Sequence, residues 1–187
     1  MHLMNRAAQP MIQIIRAIRP EDLARPTPCA EFDVRKLISH MLYWGPSLVA
    51  AAYKRAPELP AVPETEADLA AGDWAAALES QTVRLAEAWS RPEAWEGTAS
   101  LGGPTELPAS LIGGMAVGEL VIHGWDLARA TGQEPVWDGE LIEFVHDEVA
   151  KTALQGREMG VYGPEVEVPE PASLLEKALG LTGRDPR

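Results

Sequence analysis

Apolar residues recur at helical spacing through most of this chain. In the first segment Ile12, Ile15 and Ile18 fall near one face and predict a helix over about 4–18. The prolines of RPTPCAEF, residues 25–32, forbid its continuation. Asp33 is then a good N-cap for a second helix from Val34 to about Lys54, with Leu37, His40, Met41 and Trp44 on one face. Pro57, Pro60 and Pro63 mark a linker. A third helix is expected from near Asp73 to Trp89, with apolar Ala77, Leu78, Val83, Leu85, Ala88 and Trp89. From Arg91 to Ser110 the chain is rich in Gly, Pro, Thr and Ser, and both a loop and a short hairpin fit.

The apolar run GGMAVGELVIHGWDLARA, residues 113–130, predicts a fourth helix that begins near Pro108–Leu111 and stops at Thr131 and Gly132. A fifth starts at Asp138 and reaches about Leu154, with Leu141, Ile142, Val145 and Val149 as its apolar face. GREMGVYGPEVEVPEPAS reads as loop with room for one short strand. A short helix near Ala172–Leu179 and the polar tail GRDPR follow. The pattern as a whole predicts an all-α fold: a four-helix bundle with irregular connections. Residues 1–187 are expected to form a single domain, with about 158–187 a short C-terminal extension packed on the bundle.

Composition narrows the function classes. The chain holds 16 Lys and Arg against 28 Asp and Glu, a formal net charge of -12. So acidic a surface is not expected to bind nucleic acid through its phosphates, nor an anionic membrane. Glu119 and His123 interrupt the longest apolar run, which argues against a membrane span. The opening residues mix Arg, Gln and Pro into their apolar positions, so no signal peptide is expected and a cytoplasmic location is. The lone Cys29 permits no internal disulfide and no cysteine-based zinc cluster. In a proline-rich turn it reads best as a small buried hydrophobe. A homodimer is compatible with the chain.

The fourth helix poses the chemical question. Glu119 and His123, four apart on a helix, share one face, and Asp126 follows three further along. A carboxylate on an apolar face needs compensation. The positions three and four away are Met115, Ala116, Ile122 and His123, with no Lys or Arg among them. A divalent cation held by Glu119, His123 and a residue of a facing helix would supply the compensation. His40, between Leu37 and Trp44, is the best third ligand. His2 sits in a terminal segment, and His146, in EFVHDEVAK, is expected on a solvated face. Two imidazoles and a carboxylate with an open position form the pattern of a catalytic zinc site, which nickel or ferrous iron could also occupy. The alternative is that Glu119 and His123 hydrogen-bond each other and His40 is an ordinary core histidine. Asp126 is a supporting candidate: it could orient an imidazole by accepting its free N–H, or hydrogen-bond a neighbouring loop. Trp44 and Trp125 are expected in the core, with a pocket wall as the alternative. Arg129, Arg157 and Arg184 are expected on the solvated surface, with binding of an anionic substrate as the alternative. No G-x-S-x-G elbow, P-loop, dinucleotide fingerprint or H-E-x-x-H is present.

PTPCAEFDVRKLISHM, GELVIHGWDLARATGQ and YGPEVEVPEPASLLEKALGLTGRDP, in that order, resemble the mycothiol-dependent maleylpyruvate isomerase-like proteins of the DinB-like metal-binding superfamily. The resemblance implies a DinB-like four-helix bundle, a metal that is usually zinc, and His40, Glu119 and His123 as its triad. It implies mycothiol as thiol cosubstrate, activated by the metal for attack on an electrophilic substrate, with isomerisation or S-transfer as the outcome. A non-catalytic metal-binding sensor or partner-binding module is the alternative. The isomerases carry a larger C-terminal domain that supplies a catalytic arginine. Only about 50 residues follow Gly132, so that domain is not expected in full, and no arginine is carried over.

Overall fold

The structure is a computed structural model that describes residues 3–57, 59–102 and 105–187. Helix α1, Leu3–Ala17, buries Met4, Ala7, Ala8, Met11, Ile14 and Ile15, a stripe spaced by threes and fours. Its predecessor His2 lies outside the described residues. Helix α2, Val34–Ala52, begins where the Asp33 carboxylate accepts the Lys36 N–H at 2.8 Å. Helix α3, Trp74–Trp89, is capped in the same way by Asp73, which accepts from Ala76 at 3.4 Å.

The apolar run forms one continuous helix, Ala109–Thr131. It is not α-helical throughout. Helix α4, Ala109–Gly118, passes through a π-helical turn, Glu119–His123, into helix α5, Gly124–Thr131. It stops at Gly132, whose φ of 71° is left-handed and natural to a residue without Cβ. The helix is long and apolar enough to cross a membrane, but 78% of its most apolar window is buried inside the protein. Helix α6, Gly139–Glu158, is capped by Asp138 and runs past the expected end at Leu154. Helix α7, Leu174–Leu181, opens with a reciprocal capping box between Ser173 and Glu176.

Two connections differ from a plain loop reading. Residues 91–110 contain a short antiparallel pair, Thr98–Ala99 with Leu107–Pro108. The expected option of a strand between α6 and α7 is not taken among the described residues. Val166 N–H instead donates to the Gly180 carbonyl at 3.0 Å, so this segment closes onto α7.

Helix α2 packs on α3, α3 on α1, α4 on α2 and α6, α5 on α1, and α7 on α6. The central helix thus has protein on most sides, which explains its near-continuous apolarity. Trp89, Leu37, Ile38, Ile112, Leu127 and Leu141 are fully buried between these layers. The Trp89 indole N–H donates to the Leu48 carbonyl at 3.0 Å, tying α3 to α2.

Candidate metal centre

Helix α2 brings His40 to the face of the π-helical turn, where Glu119 and His123 stand. The His40 Nε2 lies 3.5 Å from the Glu119 Oε2, and the His123 Nε2 lies 3.6 Å from the same oxygen. The two imidazoles meet edge to face, centroids 5.2 Å apart. One donor atom from each residue falls within 4.8 Å of the other two.

The outer nitrogens decide what these inner atoms are. The His40 Nδ1 lies 2.5 Å from the Glu64 Oε1, and the His123 Nδ1 lies 3.0 Å from the Asp126 Oδ2. Ionised carboxylates only accept, so each Nδ1 carries a hydrogen and each Nε2 is left to face Glu119. Two ring nitrogens and a carboxylate oxygen therefore converge. At 3.5 and 3.6 Å any hydrogen bonds between them are long. Two donors bound about 2.0–2.1 Å from one ion at the tetrahedral angle sit about 3.4 Å apart. The spacing suits a shared cation better than the direct Glu119–His123 hydrogen bond that the sequence allowed.

Without a metal, a proton takes that place. Burial works against charge on His40, but hydrogen bonding and charge from Glu119, then Glu64, lift its pKa to about 9. Burial likewise works against the Glu119 carboxylate. The charges of His123 and His40, the His40 hydrogen bond and Arg184 nevertheless hold its pKa down to about 2.

The supporting groups come from distant parts of the chain. Glu64 belongs to a short 3₁₀ turn, Glu64–Glu66, in the proline-marked linker, and its second oxygen accepts the Trp44 indole N–H at 2.8 Å. Asp126, fully buried, is gripped by Arg184 through Nη2 to Oδ2 at 2.9 Å and Nε to Oδ1 at 3.3 Å. Arg184, which the sequence placed on a solvated surface, is only 5% exposed: it carries its charge inward because Asp126 is there to meet it. Arg129 and Arg157 stay near the surface, donating to the carbonyls of Arg187 and Leu181. His146 sits apart beside Asp147.

The triad lies in the wall of a cavity of about 520 Å³. Trp44 and Tyr162 line it, whereas Trp125 is buried in the core. Gly156 makes room for the Tyr162 ring: a Cβ there would lie 2.5 Å from the Tyr162 Cδ2. Cys29 also faces the cavity, half-buried rather than packed away, with burial pushing its thiol pKa up. Cys29, His123 and Asp126 make a second close group, but Asp126 there already holds a cation in Arg184. Sequence reasoning missed Glu64, Tyr162 and the buried role of Arg184. A signal existed only for Arg184, inside the family-like GLTGRDP segment.

Comparison with known proteins agrees with the fold. A crystal structure of the mycothiol-dependent maleylpyruvate isomerase, and another of a point mutant of it, superpose with TM-scores of 0.66 and 0.67 at 17% identity. The match to the mutant covers 97% of this chain and 88% of that one, so most of the segment after Gly132 has a counterpart there. Two uncharacterised proteins, from two strains of Mycobacterium tuberculosis, are each 31% identical over 138 residues, which is 73% of this chain and 69% of theirs. The model of the mycothiol maleylpyruvate isomerase N-terminal domain matches residues 5–128, and with this sequence likeness the chain belongs to that family.

Proposed function

We propose that this chain is a metal-dependent thiol enzyme, with His40, Glu119 and His123 as the ligands of a divalent ion, zinc foremost. One observation carries the reading: donor atoms of His40, Glu119 and His123 lie within 4.8 Å of one another, both imidazoles 3.5–3.6 Å from the Glu119 carboxylate, on the wall of a cavity large enough for a small molecule. A closed structural site would have its donors sealed in protein; here they face open space, which favours an enzyme over a sensor or partner-binding module.

When bound, the ion would supply a Lewis acid that keeps a thiol ionised near neutral pH. The family supports mycothiol as that thiol. The chain's own residues do the rest. Glu64 and Asp126 fix both imidazoles with Nε2 inward, and Arg184 keeps the buried Asp126 ionised. Leu48, Ile122, Val145 and Val149 exclude water from the space where an electrophile would sit. Addition to a double bond followed by rotation gives isomerisation; retention of the adduct gives S-transfer. A reducing cytosol suits either.

Metal analysis of the purified protein, before and after zinc reconstitution, is the first test, with His40→Ala, Glu119→Ala and His123→Ala beside it. About one equivalent of transition metal is expected, with large loss in each variant. Failure of the wild-type chain to bind any would sink the reading. Zinc-loaded protein with mycothiol and a model electrophile should then exceed the His123→Ala rate by at least about 100-fold; equal rates would remove the enzyme and leave a metal-binding module.

A further inference from the structure

The cavity wall narrows the identity of the electrophile. A ligand with two carboxylates needs free cations or N–H donors where it is buried. Among the described residues that line the cavity, Arg184 is the one arginine or lysine. Three of its N–H groups are already committed: Nε and Nη2 donate to Asp126, and Nη1 donates to the Thr182 carbonyl at 2.9 Å. Its charge is offset by a carboxylate that is itself wholly buried. Four glutamates face the same space, Glu31, Glu64, Glu119 and Glu148. The cation nearest Glu148 is Lys151, 2.7 Å away with its side chain 67% exposed, directed to solvent rather than to the cavity. Apart from the ion and the thiol on it, a dianion entering this space would meet four carboxylates against one arginine whose charge Asp126 already offsets.

The rest of the wall is apolar. Leu48, Ile122, Val145 and Val149 are buried side chains that contribute to it. Met115 and Val161, 40% and 61% exposed, extend the apolar surface to the entrance. Exposed apolar side chains that continue into an apolar cavity mark an entry for apolar ligands.

We infer that the cavity selects an uncharged, largely apolar electrophile and discriminates against dicarboxylates such as maleylpyruvate. This rests on the thiol-enzyme reading and names the class of its second substrate. With an α,β-unsaturated ketone the chemistry balances without oxidant or reductant. The thiolate sulfur forms a C–S bond at the β carbon, and the C=C pair moves onto the carbonyl oxygen. The α carbon then takes a proton from water, replacing the one the thiol released.

The test compares benzylideneacetone with its ring-dicarboxylated analogue, the same enone with and without two charges. Two readouts are taken on the zinc-loaded chain with saturating mycothiol: kcat/KM above the spontaneous addition, and calorimetric binding of the unreactive saturated counterparts. A preference of at least about 10-fold for the uncharged compound is expected in both, and Met115→Lys, on the exposed rim, should cut it several-fold. Equal or better use of the dianion would overturn the inference, as would binding of neither counterpart. If the binding preference holds without turnover of either enone, the selectivity of the cavity stands and the enzyme reading falls.

Discussion

Glu64 shows how much a single side chain outside the triad can decide. Its carboxylate holds the His40 Nδ1 and the Trp44 indole at once, so it sets both the tautomer and the tilt of the imidazole. Outer partners of this kind typically contribute 10–100-fold to metal affinity. Glu64→Ala should therefore weaken zinc binding by roughly that factor while leaving the fold intact, as read by chelator competition and circular dichroism. Unchanged affinity would show that Glu64 does not position His40. The His40 pKa of about 9 predicts a pH dependence with a definite sign. A raised histidine pKa stabilises the metal-free fold fully below its ordinary value of 6.5, and that contribution is lost as pH rises through about 9. Zinc must displace the same proton, so affinity should rise with pH across this window, by about tenfold per unit near its centre. Urea unfolding in chelator and metal titration over this range check both, and a flat wild-type stability profile would contradict the assignment.

At the scale of elements, the caps and close approaches that aim these side chains make their own predictions. Asp33 starts α2, the helix that carries His40. Asp33→Ala should cost about 1 kcal/mol of unfolding free energy by denaturant titration. Gly156 poses a contest of two effects. Alanine normally stabilises a helix interior by about 1 kcal/mol over glycine. Here its methyl would strike the Tyr162 ring, and overpacking of this kind costs about 1–3 kcal/mol. The clash should win, so Gly156→Ala is expected to destabilise α6 and displace Tyr162 from the cavity wall; a more stable variant would show that the ring swings aside freely. The π-helical turn is a third element-scale feature. Such turns concentrate at functional sites, and this one spans Glu119 to His123.

On the scale of the whole molecule, the link between the end of the chain and the central helix matters most. Arg184 and Asp126 are 58 residues apart and both buried. Arg184→Ala would strand the Asp126 charge and should cost about 3–5 kcal/mol. Arg184→Met combined with Asp126→Asn should recover much of that loss. Thermal and urea unfolding of the three proteins decide it: a single variant as stable as wild type would mean that the pair contributes nothing to docking the C-terminal segment.

The helices were legible in the sequence because helix formation is read locally: apolar stripes, aspartate caps and Gly132 act within one or two turns. Glu119, His123 and His40 stood out for the same reason, as polar residues on faces that otherwise repel them. The π-helical turn was not legible, since it shifts the hydrogen-bond ladder without altering the apolar pattern. Nor was Glu64, one acid among several in a proline-rich linker, nor the burial of Arg184, whose charge partner Asp126 lies 58 residues away in α5. By itself the sequence determined an all-α chain with a metal-like pair on its central helix. Tertiary structure alone decided how closely His40 meets that pair, which carboxylates orient the rings, and that the cavity beside them is apolar and acid-lined. Those facts depend on contacts between residues tens of positions apart, and no local pattern encodes which distant groups chain packing will bring within hydrogen-bond reach.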